Sequence, residues 1–556
     1  MMKILFSCAL ERCPYCHSTL RTYRKDRRVV RTVNGSFIAE HRILICPLEK
    51  KKFRSGYLDK IIQPGCTYAN DIMVDAAMKR FIHGRSSSEI SSALGISEGH
   101  ARKITNQALE IFSEIHELSV TKLKESMNSY ILQIDGTTDS EFSMIVVVRD
   151  ALSGFTLYVR RCQSESDASI QSVLVDVKNR FGVPSGITCD MRSGIISAAK
   201  SVFPHVPIRI CLMHFLRDLG KDLMKDMHTD LGIMINRKGI KSGLKNMLKE
   251  MPQYDQDTLD EVSYGFSSHP ENVEIMSVRS VLENIMSTGS SGYGFPFSMR
   301  HLAFYVSCEE GMSKLSLLHI RMKDENARDM VSQIMKYLKL VVSDPDIMES
   351  ARKLKDINSL IFQKIRKAFK IPDHGNLSVD RYDAKRDDPS VHERCSIIFG
   401  ELEVYTHTSI EPNMMRCAKL AIERYSKREE MLFAQNSDGT IPRTNNNMEI
   451  FFRKMRRNIR KRSGNNSTGN ILTQSGEKLA LFQNIANEKY RDIVFGKSDM
   501  GSIFAEHRKP FKKDGMTKKR KMELVEKGTE MILDDSLSKD PYPEFFIEYS
   551  QLYTNG

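Results

Sequence analysis

The sequence predicts a multidomain α/β protein in which a mixed sheet is interrupted by a long helical segment. The chain has 556 residues, more than one domain usually holds. Residues 129–224 alternate short strand-like apolar runs with helical stretches, whereas residues 225–440 keep the helical period almost throughout. A small cysteine-containing segment and an all-helical segment precede the sheet, so we expect an N-terminal part that is built separately.

The composition favours a nucleic-acid partner. Lysine and arginine number 83 against 70 acidic residues, which gives a net charge of +13. Apolar residues make up 40% and charged residues 28%, which permits sizeable cores and argues against disorder throughout. No apolar run approaches the length of a bilayer, and the 11 cysteines show no disulfide framework. We therefore expect a cytoplasmic, nucleoid-associated protein with no membrane partner.

Residues 1–66 have the outline of a zinc ribbon. Cys13-Pro14-Tyr15-Cys16 is a CxxC knuckle, and a basic hairpin-like segment follows before Cys46. The second knuckle is incomplete, because Glu49 stands where a cysteine is expected. Cys8, His41 or Cys66 could supply the missing ligand. A zinc ion bound by Cys13, Cys16 and Cys46 and a metal-free ribbon both remain open.

Residues 67–125 predict a helix-turn-helix. Ser86 and Glu89 form a capping box, Gly95 ends the first helix, and Ser97 can cap the second. A plain helical hairpin is the alternative, but the glycine turn and the exposed polar side chains favour DNA binding. The second helix would present four side chains suited to base edges and phosphates: Arg102, Lys103, Asn106 and Gln107.

Residues 126–224 predict three consecutive strands, a helix, a strand, a helix and a last strand. Asp135 and Asp190 each close an apolar strand, where α/β sheets place their ligand sites. Either aspartate could instead cap a turn or helix. As a pair in this order of elements, they point to catalysis. His214 opens the helix after the last strand. It could belong to the same site, or it could simply pack beneath the sheet.

Residues 225–440 predict a helical insertion. Residues 441–490 predict the final helices of the catalytic domain. Glu449 heads a basic helix whose apolar face repeats at helical spacing. Its neighbouring face carries Arg453, Arg456 and Arg460, which suit DNA phosphates. A solvated basic helix with a surface Glu449–Arg453 pair is the alternative. Residues 491–556 predict a tail, most of which we expect to be loosely ordered.

These pieces resemble DDE transposases with a ribonuclease H-like catalytic domain, in particular the Mutator-like group and related prokaryotic insertion-sequence transposases. The resemblance is carried by Asp135, Asp190, Cys211-x-x-His214 and the stretch 444–449 that ends in Glu449. It implies a ribonuclease H-like fold with a helical insertion, which accounts for the separation of 259 positions between Asp190 and Glu449. It also implies that His214 lies near the scissile strand.

By the same resemblance, Asp135 would bridge two Mg²⁺ or Mn²⁺ ions, with Asp190 and Glu449 binding one each. Carboxylate oxygens are the ligands these ions prefer. The implied function is a DNA transposase that acts on double-stranded element ends and target DNA, as a homo-oligomer on DNA. A ribonuclease H-like nuclease without strand transfer, or a transposase-derived DNA-binding regulator, would share much of this sequence.

Overall fold

The structure is a computed structural model that describes residues 1–64, 66–137, 144–162, 167–253, 260, 270–288, 294–371, 389–408, 411–508, 522 and 525–526. The chain forms two compact units. The first comprises Met1–Asp75 and Ser498–Gly556, and the second Ala76–Lys497. The architecture is mixed α/β with helices dominating, as the sequence predicts.

The first unit is built on a four-stranded sheet in the order β1-β3-β2, with β4 also paired to β3. β2 (Arg21–Thr32) and β3 (Gly35–Ile45) form the predicted basic hairpin. β1 (Lys3–Ser7), which was not predicted, adds in parallel to β3, and the short β4 (Lys52–Phe53) completes the sheet. Helices α1 (Tyr57–Ile61) and α2 (Asn70–Ala77) follow.

The predicted helix pair opens the second unit, after a π-helical turn at Met78–Ile82. Helix α3 (Ser87–Leu94) begins at the capping box of Ser86 and Glu89 and ends at Gly95, whose φ of 62° is left-handed. Helix α4 (Glu98–Leu118) begins at Ser97 and is followed by α5 (Val120–Ser126).

The five-stranded sheet of the second unit has the order β7-β6-β5-β8-β9. Strands β5 (Ile131–Thr137), β6 (Met144–Asp150) and β7 (Thr156–Cys162) are antiparallel neighbours. Strands β8 (Gly186–Cys189) and β9 (Ile208–Ile210) add in parallel beside β5. The predicted strands are therefore confirmed, but β5 continues through Asp135 to Thr137. The prediction that the strand ends at Asp135 was wrong, because Gly136 and Thr137 remain paired with β6.

Helices cover the sheet and close its open edge. α6 (Asp167–Phe181) and α7 (Ser193–Val202) are the predicted crossover helices. At the edge strand β7, the side-chain amide of Asn484 donates to the carbonyl of Thr156 and accepts from its N–H. Glu477 of α19 (Gly469–Phe482) accepts from the N–H of Arg161. These contacts satisfy backbone groups that an edge strand leaves exposed.

The segment predicted as a helical insertion consists, in the residues that the structure describes, of helices joined by short non-helical connections. After α8 (Leu212–Arg237) its helices are α9 (Ile240–Glu250), α10 (Pro270–Met286), α11 (Arg300–Arg321), α12 (Glu325–Val342), α13 (Pro345–Ile357), α14 (Gln363–Ala368), α15 (Pro389–Thr408), α16 (Pro412–Ser426) and α17 (Glu429–Leu432). None of the described helices has both the length and the apolar content needed to cross a bilayer.

The C-terminal half of α4 packs deep in the second unit. Phe112 is fully buried, with its ring 5.0 Å from that of Phe482 and 6.0 Å from that of Tyr490. His116 lies one turn further on and contacts the Tyr490 hydroxyl at 2.8 Å and the Leu157 carbonyl at 3.0 Å. The helix that exposes the candidate DNA-contacting side chains is therefore anchored to strand β7 and to the last helices of its unit.

Two short helices follow where the hydrophobic pattern fades. Helix α20 (Glu488–Phe495) buries Tyr490, and α21 (Met500–His507) lies in the first unit, where it packs on α1. The predicted loose order of residues 491–556 was wrong for these helices, because eight residues are too few to show a clear helical period. Most of the tail after residue 508 lies outside the described residues.

Replacing Phe112 by alanine should destabilise the second unit by about 3–5 kcal/mol, because it removes a buried aromatic side chain and leaves a cavity. The midpoint of thermal unfolding, followed by circular dichroism, should fall. Leu118→Ala on the same helix is the matched control, since that side chain is 65% exposed. Equal midpoints for the two variants would show that α4 is not anchored as described.

Candidate functional site

The parallel pairing of β5 with β8 brings two aspartates together. Ile134 is the register partner of Cys189, so Asp135 and Asp190 are the next residues on two adjacent strands. β8 ends at Cys189 whereas β5 continues, so both carboxylates lie where the parallel ladder stops. Both are buried, with exposed fractions of 8% and 4%. The two acids singled out in the sequence therefore share one edge of the sheet.

The electrostatics of Asp135 reflect this crowding. Burial raises the pKa of its carboxyl, and the nearby charges of Asp190 and, less strongly, Glu449 raise it further. The N–H of Gly136, which donates to Asp135 Oδ1 at 2.8 Å, and the charge of Arg192 oppose the shift. The resulting pKa is about 7. The site thus concentrates negative charge that a bound cation would stabilise.

Asp190 is held by the residue two positions further along the chain. Arg192 Nε lies 2.8 Å from Asp190 Oδ2, and the Arg192 backbone N–H donates to Asp190 Oδ1 at 3.1 Å. Because the Arg192 side chain is 42% exposed, it can also face an incoming anionic ligand.

A short buried polar turn at residues 444–445, just before the next helix, brings the third acid to this edge. The Asn445 backbone N–H donates to Cys211 Sγ at 3.2 Å, and Asn445 Nδ2 donates to the Ile134 carbonyl at 3.4 Å. The Leu212 N–H donates to the carbonyl of Arg443 at 3.0 Å. The turn is thereby fastened beside Asp135 and beside the start of α8. Cys211 is fully buried, in agreement with its expected role as a small packed side chain.

The next helix, α18 (Asn446–Ser463), carries Glu449 in its first turn. Met448, Phe452, Met455 and Ile459 are buried, as the predicted apolar face requires.

Glu449 is half-buried and faces α8. Its Oε1 lies 3.4 Å from His214 Nε2 and 3.5 Å from Arg217 Nη1. Burial lowers the pKa of His214, although the charge of Glu449 opposes that shift. The ion pair of Glu449 with Arg217 and its contact with His214 therefore reach across to α8, unlike the surface pair with Arg453 that the alternative interpretation requires.

The three carboxylates supply hard oxygen donors of the kind that Mg²⁺ and Mn²⁺ prefer. Their donor atoms do not all lie within 4.8 Å of one another. In the part of the chain that the structure describes, only a cysteine group meets that limit. The donor chemistry and the excess negative charge fit a divalent cation, and the three carboxylates would have to move closer together to share one ion.

A groove of about 440 Å³ runs from Asp190 along α8 to α16. Several of its charges are paired, as in Lys221–Asp218 at 3.3 Å and Arg424–Asp222 at 2.7 Å. Its lining comprises Asp190, Met191, Arg192, His214, Phe215, Asp218, Leu219, Lys221, Asp222, Arg424 and Arg428. The helical segment thus contributes two arginines to the surroundings of the carboxylates.

The side chains predicted to contact DNA are accessible. Arg102, Lys103 and Asn106 are exposed on α4, and Gln107 is half-buried. On α18, Arg453 and Arg460 are exposed and Arg456 is half-buried. Two of these arginines have partners: Arg102 pairs with Glu98 at 3.4 Å, and Arg460 donates to the Asn466 carbonyl at 2.9 Å.

The first unit holds a separate candidate metal site. The sulfur atoms of Cys13, Cys16 and Cys46 all lie within 4.8 Å of one another. Burial alone would raise the pKa of Cys46, but hydrogen bonds from Ser18 Oγ and the Glu49 N–H outweigh it and lower the pKa to about 6. This group could bind a metal such as zinc, since thiolates are preferred zinc ligands.

Two turns of the same shape present these sulfurs. The N–H of His17 donates to the Cys13 carbonyl, and that of Lys50 donates to the Cys46 carbonyl. His17 and Lys50 have left-handed φ angles of 57° and 56°. Glu49 therefore occupies the place in the second turn that Cys16 holds in the first. Of the other predicted ligands, Cys8 packs against this cluster, whereas Cys66 packs against a different core.

Sequence reasoning missed two residues that organise the carboxylate site, Arg192 and Arg217, and it assigned no separate role to Asn445 within the stretch 444–449. Arg217 follows His214 by three positions on a helix, so a search for basic residues on the same face would have found it. Arg192 follows Asp190 by two positions, within reach of a side-chain ion pair. The hydrogen bonds of Asn445 could not be predicted from a local pattern, because its partners, the Ile134 carbonyl and Cys211 Sγ, are distant in sequence.

Comparisons with known proteins give little further information. No protein-family model matches the chain, and no curated protein matches it. Among solved structures, the "Drosophila P element transposase strand transfer complex" aligns with 79% of this chain and 94% of its own chain, at 9% sequence identity and a TM-score of 0.28. A likeness at that TM-score does not establish a shared fold.

Proposed function

We propose that this protein is a DNA transposase that binds the terminal repeats of its own element and performs metal-dependent strand cleavage and strand transfer. The observation that supports this most directly is the adjacency of Asp135 and Asp190 on parallel strands, with Glu449 delivered beside them from far along the chain. The sheet order, three antiparallel strands followed by two parallel ones, is also the order expected of a ribonuclease H-like domain.

Asp135, Asp190 and Glu449 would hold Mg²⁺ or Mn²⁺. Such an ion, when bound, supplies Lewis-acid stabilisation of the attacking and leaving oxygens in an in-line phosphoryl displacement. The buried, crowded state of Asp135 fits this role, because its charged form needs a cation for stability near neutral pH.

The surrounding side chains would orient the acids and the DNA. His214 and Arg217 hold the Glu449 carboxylate, and Arg192 holds that of Asp190. A strand that approaches Asp190 through the groove would meet Arg192, Arg424 and Arg428 on its phosphates. These contacts position a scissile phosphate without reading its sequence.

The helix-turn-helix would recognise the DNA sequence of the element ends. Arg102, Lys103, Asn106 and Gln107 of α4 suit base edges of the element ends, whereas Arg453, Arg456 and Arg460 of α18 suit the backbone of any duplex. Transposition joins two ends to a target, so the active species would be a homo-oligomer assembled on DNA. A nuclease without strand transfer would use the same carboxylates, and an assay with a pre-cut 3′ end distinguishes the two activities.

Glu449→Gln should retain DNA binding but cut DNA at least about 10²–10³-fold more slowly, since it loses the charge that holds a metal ion. The assay is nicking, with Mg²⁺ or Mn²⁺, of a supercoiled plasmid that carries the sequences flanking the coding region.

Glu430→Gln is the matched control, because this exposed glutamate lies outside the carboxylate site. It should cut at the normal rate. Normal cutting by Glu449→Gln would remove that residue from the catalytic set. Metal-independent DNA binding without any cutting by the unmodified protein would instead favour the DNA-binding regulator.

We also propose that Cys13, Cys16 and Cys46 bind one zinc ion and that Glu49 faces its fourth position. The matching turns around Cys13 and Cys46 support this assignment, since a zinc ribbon pairs two such knuckles. The ion would fix the end of the basic hairpin formed by β2 and β3.

Elemental analysis of the purified protein should find one zinc ion per chain, and a Cys13→Ser/Cys16→Ser variant should lose it, because a single thiolate cannot retain the ion. Cys66→Ser, in the same unit but in another core, should keep its zinc. Glu49→Cys should raise zinc affinity by completing a four-thiolate site. Purified protein without zinc would contradict the assignment.

A further inference from the structure

Two arginines from different elements lie over one aromatic ring in the second unit. Arg80 belongs to the π-helical turn Met78–Ile82, and Arg462 to the last turn of α18. Their guanidinium carbons lie 5.8 Å and 4.9 Å from the centroid of the Phe81 ring. Both side chains are half-buried. Two like charges therefore share one small, partly desolvated space.

This pair is not balanced by acids. Among the described residues, neither arginine has a carboxylate within ion-pair distance. Burial lowers the pKa of both groups; the charge of Arg80 lowers that of Arg462 further, to about 9, and Arg102 acts similarly on Arg80. Within the described parts of the chain, Arg80 donates one side-chain hydrogen bond, to Ser87 Oγ, and its Nε is buried without a partner. Such an arrangement is costly unless an anion completes it.

The arginines are fixed by a packed junction between the two elements. Asn458 Nδ2 donates to the Ile82 carbonyl at 2.9 Å, and Gly84 packs against the Asn458 backbone with a left-handed φ of 68°. The Phe81 ring also meets Phe482 edge-on at 5.5 Å. The two guanidinium groups are therefore presented together by the fold.

We propose that Arg80 and Arg462 jointly bind one phosphate group of the DNA backbone. This inference rests on the proposed DNA-binding function. It adds a backbone contact that fixes the position of the bound duplex relative to the carboxylates. Arg462 lies 13 residues after Glu449 on the same helix, which at ~1.5 Å per residue is about 20 Å. That distance is roughly six steps of a DNA strand at about 3.4 Å each. Arg80 and Arg462 would hold the duplex that α4 binds at a fixed distance from the carboxylates.

The test measures how the affinity for a fluorescent duplex of arbitrary sequence depends on salt. One phosphate contact contributes about 0.9 to the slope of log K against log salt concentration. Arg80→Gln and Arg462→Gln should each lower the slope by about that amount, and the double variant should lower it no further, because both residues serve one phosphate. Arg85→Gln is the matched control, since Arg85 already pairs with Glu89 at 2.8 Å and should leave the slope unchanged.

Arg80→Lys with Arg462→Lys should fold and keep the slope, because the charges remain. Additive losses in the double glutamine variant would overturn the shared phosphate, and so would an unchanged slope. Failure of the unmodified protein to bind the duplex would instead refute the proposed function.

A second measurement tests the anion site without DNA. Sulfate should raise the midpoint of thermal unfolding of the unmodified protein above its value in chloride at equal ionic strength. The rise should shrink in the double glutamine variant. A sulfate effect of the same size in that variant as in the unmodified protein would overturn the site.

Discussion

The crowding of Asp135 and Asp190 at the end of a parallel ladder is the constraint on which the rest of the second unit depends. Two buried carboxylates on adjacent strands repel each other, and burial weakens their hydration. The structure counters this with Arg192 beside Asp190 and the Gly136 N–H at Asp135. Such an arrangement is poor for stability alone, and it suits a site whose negative charge is completed by a ligand.

The long helical segment matters to this site because it must return the chain to the same edge. Hydrogen bonds from Asn445 to Cys211 and Ile134 hold the chain at this edge after the helical segment. Arg209, buried in β9, also donates to the Leu432 and Ile441 carbonyls. Gly186 helps at the same point, since the Ile441 side chain occupies the space where a Cβ would lie. A segment of more than two hundred residues can thus be inserted without displacing Glu449.

Much of this arrangement could be predicted, because most strands of the five-stranded sheet are rich in apolar residues, and Asp135 interrupts one such strand whereas Asp190 follows another. The capping box at Ser86 and the buried face of α18 were likewise evident from local spacing. The extension of β5 to Thr137 was not, since Gly136 and Thr137 resemble a turn until β6 pairs with them. The ion pair of Arg217 with Glu449 spans 232 residues of sequence, and no periodic pattern carries that information. The same applies to His116 and Tyr490, whereas the CxxC spacing already indicated that Glu49 takes the place of Cys16 in the second turn.

The central claim is that Asp135, Asp190 and Glu449 together form one metal-binding site. Iron-mediated backbone cleavage tests it most directly: Fe²⁺ replaces Mg²⁺ in the folded protein, and ascorbate and peroxide then cut the polypeptide beside the bound ion. The account predicts cuts close to residues 135, 190 and 449 that disappear together when excess Mg²⁺ is added. Cuts near Asp135 and Asp190 without any near Glu449, or none at any of the three, would contradict it.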